Sequence, residues 1–299
     1  MVSPYLVNQI SRLMVRRRMS RANTGDVYQD TLQIRRAFDV PVIVPRGGLY
    51  QTDRIADIPV LWTEVTQSSV SVILYLHGGG YVACTPETYK PITFAFAKRG
   101  FRVVTPAYPR APENPFPTGL YRMLDVYRSL LDRGFDPSRL AICGDSAGGG
   151  MALALLILIR DCGLPLPACS VVFSPWTDLT CSSDSLRLNY RSDPVIDAKI
   201  LPRLAQLYLN GSNPANPLAS PIFADLAGLP PISVHASDIE CLRDDATRFG
   251  YSAELAGVTT ELKLWKKMPH VWPLFQTLLP EARQVMDEAS KFISDHINV

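Results

Sequence analysis

Gly144-Asp145-Ser146-Ala147-Gly148 reads as a serine set on a sharp turn between a strand and a helix. The apolar run Leu140-Ala141-Ile142-Cys143 precedes it. Gly149 and Gly150 lead into Met151 to Ile159, an apolar stretch that predicts a buried helix. A turn this tight is strained, and side chains at the flanking positions would strike the neighbouring strands, which is a physical reason for glycine there. The alternative is a glycine-rich turn carrying a surface serine. Only the surrounding sequence can decide between the two.

A second stretch supplies that context. His77-Gly78-Gly79-Gly80 follows Val72-Ile73-Leu74-Tyr75-Leu76, so it stands at the end of a buried strand. Acyl transfer through a serine needs backbone N–H groups aimed at the developing oxyanion, and consecutive glycines let the main chain approach the substrate. A dinucleotide loop over Gly78-x-Gly80-x-x-Ala83 is the rival. It fails because Pro86 and Pro91 interrupt the following segment, and the next strand, Phe101 to Val104, runs into Thr105-Pro106 with no ribose-binding acid.

These two motifs, in this order, resemble those of the hormone-sensitive-lipase family of α/β-hydrolase esterases. Tyr108-Pro109-Arg110-Ala111-Pro112-Glu113 with Pro115-Phe116-Pro117, then Ser174-Pro175-Trp176-Thr177-Asp178-Leu179, and Ser192-Asp193-Pro194 extend the resemblance from about Ile73 to the C-terminus. It implies an α/β fold with a mostly parallel central sheet, helices on both faces and a helical cap. It also implies a serine carboxylesterase acting on short- to medium-chain esters, with backbone N–H groups of Gly79, Gly80 and Ala147 as the oxyanion hole. No metal or cofactor is expected.

The base in such enzymes lies late in the chain, after the acid. His270, in the loop after Met268-Pro269, fits that order. His77 belongs to the glycine loop, His235 lies within a strand, and His296 sits on a polar helix face near the end. The loop Ser237-Asp238-Ile239-Glu240-Cys241-Leu242-Arg243-Asp244-Asp245 holds several carboxylates. Many members of the resembled family carry Asp-Pro-Leu-x-Asp here, with the first aspartate catalytic. Aligning Leu242-Arg243-Asp244 on that pattern puts Glu240 at the catalytic position, with Asp238 and Asp244 as competitors. A glutamate can orient an imidazole and stabilise its cation as an aspartate does.

Alternating apolar strands and amphipathic helices predict a mostly parallel sheet. Strands are expected at 59–66, 71–76, 101–104, 140–143, 169–173, 232–236 and 259–265, and helices at 87–99, 118–133, 147–161, 243–256 and 280–296. The first two strands are expected to open the sheet as antiparallel neighbours. Residues 1–45 and 181–222 break the alternation and are assigned to a cap, leaving 46–180 and 223–299 as the catalytic core. Near the N-terminus Leu6, Ile10, Leu13 and Met14 are expected to face inward, with Arg12, Arg16, Arg17, Arg18 and Arg21 on the other side. That stretch has no acid before Asp26 and somewhat resembles a transit peptide, but a helix explains it more simply.

Composition excludes several classes. In 299 residues, 47% hydrophobic and 19% charged content suits a folded domain rather than a disordered chain. A net charge of +2 gives no reason to expect nucleic acid. The longest apolar run, Ala147 to Ile159, is too short to span a bilayer, and no signal-peptide pattern is visible. Six scattered cysteines fit neither a zinc site nor a disulfide framework, so a reducing cytoplasm is expected. The strand 259–265 is expected at a sheet edge, where homodimers of the resembled family pair, although Lys263, Lys266 and Lys267 oppose edge pairing. The readings left beside ester hydrolysis are a non-catalytic small-molecule binder and an amide, lactone or carbamate hydrolase using the same three side chains.

Overall fold

The computed structural model describes residues 3–19, 21–22, 24–38, 44–65 and 70–297. One eight-stranded sheet runs through it: β1 (Leu49–Ile55), β2 (Ile58–Glu64), β3 (Val72–Leu76), β4 (Arg102–Pro106), β5 (Leu140–Asp145), β6 (Cys169–Phe173), β7 (Ile232–Ser237) and β8 (Thr260–Trp265), in the spatial order β1-β2-β4-β3-β5-β6-β7-β8. From β4 to β8 every pairing is parallel, whereas β1–β2 and β2–β4 are antiparallel.

The helices are α1 (Pro4–Ser11), α2 (Arg17–Met19), α3 (Val27–Phe38), α4 (Lys90–Ala97), α5 (Thr118–Asp132), α6 (Ser146–Asp161), α7 (Ser185–Leu188), α8 (Leu201–Leu209), α9 (Arg243–Leu255) and α10 (Pro280–His296). Two cores, one on each face, hold the sheet between these helices. Val72, Leu74 and Leu76 of β3 point into one with α5, α6 and α9, while Ile73 and Tyr75 point into the other with α4 and α10. All five side chains of β3 are buried, which is why this strand reads as a continuous apolar run rather than an alternating one. This is the α/β-hydrolase architecture that the motifs imply.

Two expectations need correction. Strands 59–66 and 71–76 are not neighbours: β2 lies between β1 and β4. A strand as fully buried as β3 needs a partner on each side, and β4 and β5 provide them. The true hairpin partner of β2 is β1, which sequence reading missed because its side chains are mostly polar and exposed. The two-residue turn of that hairpin, Ala56-Asp57, has both residues at positive φ, matching the twist a tight hairpin requires.

The second correction concerns the N-terminal helix. Leu6, Ile10, Leu13 and Met14 face outward, with 49%, 44%, 61% and 40% of their surface exposed. Val7, Ser11 and Met19 are buried instead, with Val15 partly so. A line of residues spaced by four drifts about 40° per step on an ordinary α-helix. The π-helical turn Arg12–Arg16 underwinds the chain and keeps the line 7-11-15-19 on the inner face. The same turn brings Arg12 and Arg16 inward. Arg12 donates to the carbonyls of Arg191 and Ser192, and Arg16 to those of Tyr190, Asp193 and Ile196.

Candidate active site

Ser146 is the first residue of α6, at the tip of β5, and its φ of 52° is the left-handed value a sharp turn imposes. Space around the turn is tight. A Cβ at Gly148 would press into the carbonyls of Leu76 and His77, at the end of the neighbouring strand. A side chain there would therefore push the glycine loop away from the serine.

Ser146 Oγ lies 2.9 Å from His270 Nε2, and His270 Nδ1 lies 2.5 Å from Glu240 Oε2. These three groups come from different parts of the sheet: the turn after β5, the loop after β7 and the loop after β8. Glu240 is held at its other oxygen, which accepts the Ser237 N–H at 2.6 Å and the Ser174 hydroxyl at 3.0 Å. Asp238 and Asp244 are engaged elsewhere. Asp238 accepts the Lys267 N–H, and Asp244 accepts the Ser185 N–H. Glu240 is thus the carboxylate of this loop that meets the imidazole.

Burial alone would lower the His270 pKa. The hydrogen bond and negative charge of Glu240 outweigh it, aided by Asp193 and Asp145, and leave the ring above its ordinary value of 6.5. An imidazole in this position can take a proton from the serine and be stabilised as the cation by Glu240.

The glycine loop is fastened to the same turn by the residue preceding the serine. Asp145 accepts the Gly78 N–H at 3.1 Å and the hydroxyls of Tyr75 and Tyr89 at 2.9 and 2.7 Å. Burial pushes the Asp145 carboxyl up to about 6, against these hydrogen bonds, which pull it down. His77 does not reach the serine. Its ring stacks on Tyr108 at 4.2 Å and its Nδ1 contacts the Gly78 carbonyl, while the Tyr108 hydroxyl donates to the His77 carbonyl. Gly79 and Gly80 border the same cavity as Ser146. Ala147 follows the serine in the first turn of α6, where N–H groups have no acceptor within the helix.

That cavity measures about 680 Å³ and is mainly apolar. Val15 and Met19 from the N-terminal helix, with Leu201 and Leu204, line one side, and Phe94 and Leu274 line another. Asp193, in the Ser-Asp-Pro stretch, ties the 195–196 backbone to the loop that carries Glu240. Its carboxylate accepts the N–H groups of Val195, Ile196 and Cys241, the last adjacent to Glu240. The roles of Asp145, Tyr89, Ser174 and Arg16 were not anticipated. A lone tyrosine in the apolar run of β3 and an acid abutting Ser146 were the only local signals. Among the described residues no cluster of side chains could hold a metal ion, and no helix is long and apolar enough to cross a membrane.

With this geometry in view, comparison with known proteins is informative. A family model described as an α/β-hydrolase fold matches residues 73–274. An acetyl-hydrolase of Streptomyces hygroscopicus is 38% identical over 78% of this chain and 78% of its own length. An esterase of Acinetobacter venetianus is 34% identical over 80% of each. The crystal structure of an esterase from the bacterial hormone-sensitive lipase family superposes with a TM-score of 0.89 at 37% identity, covering all of both chains. The chain belongs to the α/β-hydrolase family, in its hormone-sensitive-lipase branch.

Proposed function

We propose that this protein hydrolyses short- to medium-chain carboxylic esters through an acyl-enzyme on Ser146. It is a carboxylic ester hydrolase, as its acetyl-hydrolase and esterase relatives are. The observation that carries the mechanism is the unbroken row from Ser146 Oγ through His270 to Glu240, at 2.9 and 2.5 Å.

In this scheme His270 Nε2 accepts the serine proton as Oγ attacks the ester carbonyl. The carbonyl oxygen becomes an oxyanion facing the N–H groups of Gly79, Gly80 and Ala147, and one such donor contributes about 3 kcal/mol to the transition state. Collapse breaks the bond to the alkoxy oxygen, which takes the proton from His270. Water then attacks the acyl-serine while His270 removes its proton. Collapse of the second tetrahedral species releases the carboxylic acid and returns the proton to Ser146. Glu240 holds the ring and balances its transient charge throughout. No step uses a metal or a cofactor.

Residues 1–45 and 181–222 form the cap in this reading, over a core of 46–180 and 223–299, of which 1–2, 20, 23, 39–43, 66–69 and 298–299 lie outside the described residues. Support comes from the Arg12 and Arg16 bonds to the 190–196 backbone and from Val15, Met19, Leu201 and Leu204 in the cavity lining. A cavity of about 680 Å³ suits a small ester. Six free cysteines fit residence in a reducing cytoplasm. A homodimer across β8 fits its place at the sheet edge, with Leu264 exposed, and a monomer mass in light scattering at micromolar concentration would reject that contact. Chromogenic esters of rising acyl length, run beside an amide, test the substrate class. Turnover should peak among the short and medium acyl chains, and preference for the amide or for long chains would contradict it.

A further inference from the structure

Outside the catalytic cavity, three arginines border one small hollow. Arg18, Arg21 and Arg36, with Gln33, line a concavity of about 260 Å³ in whose wall no carboxylate stands among the described residues. Among the described residues none of the three arginines has an ion-pair partner. Arg35, the immediate neighbour of Arg36, shows the contrast: it forms a two-pronged pair with Glu113. Like charges gathered without a counter-ion repel one another, and an anion with several acceptor oxygens relieves that repulsion.

The hollow continues a second feature. Leu6, Ile10, Met14 and Arg18 follow one another at intervals of four, one position out of phase with the inward line Val7, Ser11, Val15, Met19. The π-helical turn that keeps the inner line straight does the same for the outer one. An exposed apolar stripe, widened by Leu13, therefore runs directly into the arginine hollow. An apolar face beside a cluster of basic residues is the composition of a helix that lies in the plane of an anionic lipid surface.

We infer that the N-terminal helix docks this enzyme onto anionic phospholipid, with a lipid phosphate in the Arg18–Arg21–Arg36 hollow and the Leu6–Met14 stripe at the headgroup boundary. Because the adjoining face of this helix lines the catalytic cavity through Ser11, Val15 and Met19, docking sets that wall of the cavity close to the membrane. The stripe is what selects a lipid rather than free phosphate, for which an apolar neighbour would serve no purpose.

The test is co-sedimentation of the full chain with phosphatidylcholine vesicles and with mixed phosphatidylcholine–phosphatidylglycerol vesicles, with inorganic phosphate titrated separately. Binding should require phosphatidylglycerol and weaken with added salt in the unsubstituted chain. It should fall by roughly 30-fold or more when Arg18, Arg21 and Arg36 are all changed to Ala. Leu6→Ser with Leu13→Ser should also weaken it, and both variants should hydrolyse a water-soluble ester at the unsubstituted rate. Equal binding to both vesicle types, binding to neither, or phosphate binding without vesicle binding would overturn the inference. Loss of ester hydrolysis in the unsubstituted chain would instead count against the esterase reading.

Discussion

Asp145 accepts the backbone N–H of Gly78, so the residue just before Ser146 anchors the glycine loop. The turn after β5 and the loop after β3 are thereby one mechanical unit. Tyr75 and Tyr89 complete the carboxylate's hydrogen bonds within the core. This link makes a prediction separate from the chemistry of Ser146.

Asp145→Asn keeps a side chain of the same shape but removes the charge and puts an amide N–H₂ where one acceptor oxygen stood. The glycine loop should loosen, lowering kcat by up to ~10²-fold with little change in KM. A kcat equal to that of the unsubstituted enzyme would leave Asp145 a packing role only. Its titration gives a second readout. With the folded pKa raised from 3.8 to about 6, the unfolded chain ionises first, so this group's contribution to stability falls as pH rises between those values. Urea midpoints of the Asn variant should lack that part of the slope.

The His270 environment fixes a pH dependence. The ring must be neutral to accept the serine proton, and its pKa lies above 6.5. Activity should therefore fall as pH drops, with the acidic midpoint of kcat/KM above 6.5. Glu240→Gln removes the main charge that raises the pKa, so the midpoint should move down while turnover drops by ~10⁴-fold, as for the analogous change in serine proteases. Glu240→Asp should lose only part of the activity. Asp238→Asn should cost little, since its carboxylate caps the Lys267 N–H. A crippled Asp238→Asn beside a normal Glu240→Gln would reverse the assignment of the acid.

Leu204 controls the room beside the glycine loop. A Cβ placed on Gly80 would come within 2.9 Å of its side chain, so the two are in close contact. Leu204→Ala should widen the cavity and shift preference toward longer acyl chains, at a stability cost of about 2–5 kcal/mol. An unchanged chain-length profile would remove Leu204 from the substrate path.

Arg16 reaches carbonyls of residues 190–196, which lie 174 to 180 positions away in the chain. Arg16→Ala should leave these carbonyls without their donor and destabilise the protein by about 2 kcal/mol. It should also alter chain-length preference, because Val15 and Met19 line the cavity from the same helix. Stability and profile both unchanged would contradict the cap reading.

These residues show which parts of the molecule were legible in the sequence. The turn at Ser146 and the glycine loop after β3 were, because a strained turn and a close backbone approach need particular residues at adjacent positions. Glu240 was legible only through its two-residue offset from Leu242-Arg243-Asp244. β1 was not, since an exposed edge strand such as Tyr50-Gln51-Thr52-Asp53 carries no apolar alternation. The N-terminal helix misled for a physical reason. Periodicity assumes an ordinary α-helix packing its apolar side, whereas here a π-helical turn directs arginines onto distant carbonyls and leaves leucines in solvent. Contacts such as Arg16 to Ile196 leave no local pattern to read.

The most direct test of the account is reaction with a fluorophosphonate probe, followed by mass mapping of the modified peptide and by turnover of Ser146→Ala. The account predicts one covalent adduct, on Ser146, blocked by prior incubation with substrate. It also predicts a folded Ser146→Ala protein that takes no label and whose turnover has dropped by ~10⁴-fold or more. Labelling of a different residue, or near-normal turnover by folded Ser146→Ala, would contradict it.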